Sequence, residues 1–328
     1  PQPRAQARLS SRSMPTGQRT PTTHPQRRPN KLKSLPAERQ GHLAMLSFSL
    51  LVSLSFFFGH FVAREIDPGA LMVLRFALAS AVLFVVLLSM RARPVFRRFW
   101  RFLLIGGCMA IYFITMFEAL RMTTAISTAA VFTLTPLMAA GFGRLFLHQR
   151  PGRWTLSALM VGGAGAVWVI FRADLEALLR FEIGPGEILF VFGSMAHAAV
   201  PALSRRFCDD VPPLQTAFAT TLGALVVTTL YAAPELVATP FALLPAQVWW
   251  VLIYLAVATT AGTFFLVQYA SKRLPGSKVM AYTYLVPSWV VFWEVLALGH
   301  LPTPALLLGI LGTIIALLML LRGEVHAQ

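Results

Sequence analysis

An ionisable side chain inside a long apolar run is costly, so it marks either a fixed pair or a functional site. Five such residues stand out in this 328-residue sequence: His60, Arg75, Glu118, His197 and Glu294. At about 1.5 Å per residue from the expected ends of their apolar runs, Arg75 and Glu294 lie roughly 6–9 Å deep. Two readings of Glu294 stay open. It is a fixed counter-ion of Arg75, which it could reach along with His60 if their helices adjoin, or it is a carboxyl that cycles a coupling proton. Arg75 itself reads either as a structural cation or as a contact for a charged solute. Glu118 reads as the partner of Arg121, one helical turn on. His197 is either a satisfied core histidine or a cavity wall, the second reading resting on the space left by Ala196, Ala198 and Ala199.

Neutral groups at compatible depth could complete a pocket: Tyr112, Thr260, Thr263, Phe264, Tyr282 and Tyr284. An aromatic lining with few polar groups suits an organic solute, although each of these residues alone reads as packing. Pro136 and Pro287 break two apolar runs near their middles. Each proline removes an N–H and frees the carbonyl four residues back, that of Phe132 and of Thr283. In hydrocarbon a freed carbonyl must face protein or water, which points these two at a transport path as hinge or cavity backbone. No nucleophile–base pair, metal-ligand cluster or phosphate-cradling loop is present, so no catalytic residue, metal or cofactor is expected, and ATP-driven transport by this chain alone is excluded.

The elements that must position these residues follow from composition. Hydrophobic residues make up 56% of the chain, charged residues only 12%, and the mean hydropathy is +0.67. A soluble domain carries about 25% charge. Apolar windows recur near 43–63, 69–90, 101–121, 124–143, 154–171, 187–204, 213–233, 247–269, 278–298 and 303–322. Their length demands helices rather than the roughly ten-residue strands of a membrane barrel. The fold class is therefore all-α: a polytopic membrane protein with ten transmembrane helices. The net charge of +15 is no nucleic-acid signal, because the basic residues sit between apolar spans and no binding motif accompanies them. Cys108, within a span, and Cys208, in a loop, read as free thiols.

Basic residues orient the chain. With the N-terminus in the cytoplasm, 23 Lys and Arg fall inside and four (Arg64, Arg121, Arg172 and Arg180) outside, where Glu65, Asp67, Asp174, Glu176, Glu182, Glu187 and Glu235 also lie. Both termini are expected in the cytoplasm, with the chain in the plasma (inner) membrane. Residues 1–42 read as a disordered basic cytoplasmic tail, rich in Pro, Arg, Gln and Ser. That composition also fits a transit peptide, or upstream sequence ahead of a start at Met14 or Met45.

The two halves repeat. Ala119-Leu120-Arg121 and Pro136 match Ala270-Ser271-Lys272 and Pro287 at an offset of 151 residues, while Gly41 and Pro68 match Gly186 and Pro213 at 145. Five spans per half invert the second relative to the first, giving two inverted five-helix repeats over 43–171 and 184–322. Gly162, Gly163 and Gly165 in the fifth span, with Gly309 and Gly312 in the tenth, read as scaffold for close helix approach.

The stretches "ALRMTTAISTAAVFTLTPLMAAGFGRLFL" and "YASKRLPGSKVMAYTYLVPSWVVFWEVLALG" resemble the two repeats of the drug/metabolite transporter superfamily, EamA type. "FFFGHFVA" with "DPGALMVLRF", and "GEILFVFGSMAHAAVPALSRR", resemble the fronts of those repeats. The resemblance implies a ten-helix carrier, usually an exporter of amino acids or other small metabolites, with a cavity lined mainly by spans one, three, four, six, eight and nine. Gln149 and His300 stand where the family carries acids, Phe58-Gly59-His60 where it often has Trp-Gly, and His197 where an aromatic is common. Arg75 is frequent in the family, whereas Glu294 replaces a small or apolar residue.

The expected function is secondary active transport of a small organic metabolite, an amino acid or related solute, outward and by alternating access. The partners are a small-molecule substrate, the lipid bilayer and, under one reading of Glu294, a coupling proton; homo-oligomerisation is left open. The alternatives are a membrane-embedded enzyme acting on a lipid-linked substrate, or a sugar-phosphate or nucleotide-sugar carrier. The first lacks a polar cluster on one face, and the second lacks several cations within the spans. Reporter fusions test the topology: those after residues 98, 206 and 276 are expected to behave as cytoplasmic, and those after 67, 178 and 240 as external.

Overall fold

Apolar runs of about twenty residues have one way to satisfy their backbone in hydrocarbon, and the chain uses it throughout. The computed structural model describes residues 36–171, 173–176, 183–299 and 302–322. Among them, ten helices are long and apolar enough to cross a membrane. The first five are α1 (Ala37–Val62), α2 (Pro68–Ser89), α3 (Trp100–Met122), α4 (Ala125–Leu147) and α5 (Arg153–Ile170). The second five are α6 (Pro185–Cys208), α7 (Pro213–Tyr231), α8 (Ala246–Ser271), α9 (Gly276–Leu298) and α10 (Pro304–Arg322). Starts are set by local chemistry. Asp67 accepts from the Gly69 and Ala70 amides ahead of Pro68, and Thr124 caps α4 through the Ser127 amide.

Three expectations shift. The helix α1 begins at Ala37, so the last residues of the expected tail are helical; the Tyr269 hydroxyl donates to Gln40 there. The rest of the expected tail, to residue 35, lies outside the described residues, as do His300, Arg172, Arg180 and Glu182. Cys208 ends α6 and is buried instead of sitting in a loop. Between α7 and α8 the chain forms a further short helix, Ala233–Ala238. The preceding Ala232 packs against Gly69 at the start of α2.

Side-chain stitching fixes how the helices run. Tyr282 bonds His42 (3.0 Å), Trp289 donates to Ser49 (3.3 Å) and Trp293 to Ser53 (3.0 Å), each pair separated by 240 residues. A constant offset means that α1 and α9 are parallel, as two odd-numbered spans must be. Tyr254 donates to the Leu51 carbonyl and Tyr269 to Gln40, so α8 runs antiparallel to α1. The second half thus enters with inverted polarity. At the ends where the Lys- and Arg-rich loops gather, hereafter the basic face, Arg101 is buried and donates to the Phe207 carbonyl and to Asp210 (both 2.7 Å). That hydrogen bond holds the Asp210 carboxyl below its usual range. The contribution is present at neutral pH and fades as pH falls through the lowered value; with Asp210 70% exposed it is small.

Close approach is concentrated at two crossings. A Cβ on Gly165 of α5 would lie 2.6 Å from the Gly309 carbonyl oxygen of α10, and Trp154 and Trp168 donate to Met319 and Ala305 carbonyls across the same pair. A Cβ on Gly106 of α3 would lie 2.6 Å from the Gly223 carbonyl carbon of α7. By contrast, Gly163 has nothing within 4 Å of such a Cβ. Gly165→Val is therefore expected to cost about 1–3 kcal/mol and lower folded yield, whereas Gly163→Ala leaves yield unchanged or raises it, as read by size-exclusion yield and thermal denaturation in detergent.

Candidate functional site

Arg75 is fully buried and among the largest such side chains of the described residues. It projects from α2 into a π-helical segment of α8, Val257–Gly262, where the extra residue in the turn brings two threonines to one side. Its Nε donates to Thr260 Oγ1 (2.5 Å) and its Nη2 to Thr259 Oγ1 (2.8 Å). The guanidinium carbon sits 3.9 Å above the Phe113 ring of α3. Tyr112 and Tyr254 lie within electrostatic reach. Among the described residues no carboxylate is at ion-pairing distance from Arg75, and Nη1 has no hydrogen-bond partner in the protein. The expected Arg75–Glu294 pair is therefore not formed. Threonine hydroxyls and an aromatic face hold the cation in its place, contacts that stabilise a guanidinium without neutralising it.

Next to this cation lies a nest of rings. His197 of α6 is buried, with centroids 4.4 Å from Tyr112 of α3, 5.1 Å from Phe132 of α4 and 6.2 Å from Phe48 of α1. Phe56 and Phe190 close around Phe132. Ala198 and Ala199 are buried; the small residues around His197 let neighbouring helices close in. Phe264 stacks on Phe113 at 6.2 Å and 14°, and these two residues are mates at the 151-residue offset. The centre is thus assembled from α1, α2, α3, α4, α6 and α8.

The two prolines do break their helices at matched places. The helix α4 divides into Ala125–Phe132 and Thr135–Leu147, and α9 passes through a 3-10 turn, Tyr282–Leu285, before Val286–Leu298. Each carbonyl they free accepts a hydrogen bond within the protein. Thr135 Oγ1 donates to the Phe132 carbonyl (2.7 Å), and the Val286 amide donates to that of Thr283. The hydroxyls of Thr135 and Thr283 then bond each other at 3.0 Å, joining the two breaks.

Other expected site residues disperse. His60 and Glu294 line a cavity of about 270 Å³ with Thr124 and Ile126, at the end of the fold opposite the basic face. Glu118 pairs with Arg121 at 3.3 Å. Thr263 bonds back to the Thr259 carbonyl. Tyr282 bonds His42 near the basic face, and Tyr284 is buried among Leu159, Leu317 and Leu320, away from the nest. Neither tyrosine joins Arg75.

Sequence reasoning missed Thr259, Thr135, Thr283 and the Phe48–Phe56–Phe132–Phe190 nest. The run Thr259-Thr260 inside an apolar span was the available signal. Glu187 was placed in an outer loop, but it is buried in the first turn of α6 and accepts from Thr123 (2.5 Å) and Ser127 (2.6 Å). Among the described residues no group of three or more His, Cys, Asp or Glu could hold a metal ion.

The Thr135–Thr283 bridge predicts coupling. Thr135→Val and Thr283→Val are each expected to destabilise the chain in detergent unfolding. The double variant should fall short of additivity by about 0.6 kcal/mol, the usual size of an interhelical bond in a membrane.

Comparison with known proteins agrees with this architecture. The EamA-like transporter family profile matches twice, over residues 39–171 and 184–322. An uncharacterized transporter of Archaeoglobus fulgidus is 25% identical over 266 residues, spanning 80% of this chain and 90% of the relative. A protein crystal structure aligns at a TM-score of 0.63 and 18% identity, over 88% of this chain and 98% of its own, a likeness of fold. Ten membrane-length helices among the described residues, in two inverted repeats and matched twice by one family, identify the chain as a member of the EamA-like transporter family of the drug/metabolite transporter superfamily, a multi-pass membrane transporter.

Proposed function

We propose that the chain is a secondary active transporter of a small organic metabolite bearing a carboxylate, an amino acid or related solute. One observation carries this reading: Arg75 is fully buried, no described carboxylate pairs with it, and Nη1 has no partner in the protein. A planar donor set of that kind suits a carboxylate, whose hydrogen bonds to a charged group are worth about 1.5–3 kcal/mol. The ring nest beside it suits the organic part of such a solute. Among the described residues a single central cation, Arg75, argues against sugar-phosphate and nucleotide-sugar cargo, which would call for several.

The basic face is taken as cytoplasmic, in the inner membrane, by the bias of Lys and Arg. Transport runs from it to the opposite face by alternating access, making the chain an exporter. His60, whose Nδ1 is buried without a partner, shares its cavity with Glu294, which supports a coupling proton loaded and released on that side.

Proteoliposomes test the reading with a panel of radiolabelled amino acids and their amides. Carboxylate-bearing solutes are expected to be carried and the amides refused. Arg75→Gln is expected to weaken transport by about tenfold to a hundredfold, with Arg75→Lys between it and the native chain. Equal transport of acids and amides, or a folded Arg75→Gln protein with native rates, would overturn it.

A further inference from the structure

A second cavity, of about 400 Å³, opens at the basic face. Its wall combines the loop after α4 and the first turn of α5 with the start of α9: Gln149, Arg150 and Thr155 from one side, Ser277 and Lys278 from the other. The cavity holding His60 and Glu294 is built in the same way at the opposite end, from the start of α4 (Thr124, Ile126) and the end of α9 (Glu294, Leu298). The offset of 151 residues that relates Pro136 to Pro287 also relates Thr124 to Pro275 and Ile126 to Ser277. The two cavities are therefore mates under the repeat, one at each end of the α4–α9 contact.

Their charge is not repeated. Among the described residues, the wall at the basic face carries two cations, Arg150 and Lys278, and no acid. Among them, the wall at the other end carries Glu294 and His60 and no Lys or Arg. Lys278 has Ser127 as its mate, and Ser127 donates to the buried carboxylate of Glu187. Around the basic cavity the titratable neighbours on α1 are His42 and Glu38, with Glu38 exposed and 3.6 Å from His42.

We infer that the basic-face cavity is a loading vestibule that binds the anionic group of the solute before it reaches Arg75, and that its acidic mate is the vestibule from which the solute leaves. This deepens the carboxylate-carrier reading and rests on it for the identity of the anion. Oppositely charged mouths give a carboxylate a downhill electrostatic approach at one end and a repulsive return at the other. The Arg150 side chain supplies an exposed cation at the rim, and Lys278 a buried one further in.

Charge-selective labelling tests the vestibules without any transport assay. In full-length chain with Cys108→Ala and Cys208→Ala, reconstituted in phosphatidylcholine, Ser277→Cys and Ile126→Cys are each reacted with anionic and cationic methanethiosulfonates of matched size. The anionic reagent is expected to react about threefold or more faster than the cationic one at Ser277→Cys, with the preference reversed at Ile126→Cys. Arg150→Gln, at an exposed position that does not threaten folding, should reduce the Ser277→Cys preference, and Lys278→Gln should reduce it further. Acetate and glutamate should slow labelling of Ser277→Cys. No preference at either position, or one untouched by Arg150→Gln, overturns the inference. So does protection by added phosphatidylglycerol but not by acetate or glutamate, which would assign the cavity to a lipid headgroup. Arg75→Gln should leave the labelling ratio intact, so failure of the central site and failure of the vestibule are read separately.

Discussion

In hydrocarbon a backbone carbonyl without a donor costs several kcal/mol, and this constraint shapes the centre of the molecule. Proline at positions 136 and 287 interrupts α4 and α9 at matched depths. The protein answers within itself: Thr135 covers the Phe132 carbonyl, and a 3-10 turn covers that of Thr283. The threonine hydroxyls then meet at 3.0 Å, so the weakest points of both repeats become one joint. The two cavities at opposite ends of the α4–α9 contact are placed by that joint, because each is bounded by the start of one broken span and the end of the other.

The same accounting explains how Arg75 is tolerated. A charge at this depth costs about 2.5–3.5 kcal/mol on insertion scales before any partner is found. The π-helical segment of α8 turns Thr259 and Thr260 toward α2, and Phe113 offers its ring face. These contacts lower the cost without cancelling the charge. The guanidinium keeps its charge, and its Nη1 has no hydrogen-bond partner among the described residues.

Backbone symmetry and charge asymmetry do different work here. The repeat duplicates the breaks and the cavities, and it brings the mates Phe113 and Phe264 onto each other. It does not duplicate Lys278, whose mate is Ser127, or Glu294, whose mate is Gly143. The frame is symmetric at both ends of the α4–α9 contact, whereas the charge lining them is not.

The sequence by itself determined what depends on chain-local physics. Ten helices and the inverted repeat followed from run length and a constant residue offset, and the structure's helix ends fall within a few residues of those windows except at α1, α4 and α6. Glu118 with Arg121 was legible for the same reason, since one helical turn fixes that distance. Tertiary structure alone decided whatever required knowing which helix faces which. Glu294 lines a cavity with α1 and α4 residues instead of reaching Arg75; Glu187 is buried and bonded by two hydroxyls; Tyr284 belongs to the α5–α10 side of the fold. Apolar spans look alike in sequence because lipid and protein neighbours are equally apolar. The facing partner is chosen by glycine crossings, a π turn and single hydrogen bonds, whose sequence signals are too short to read before the helices are packed.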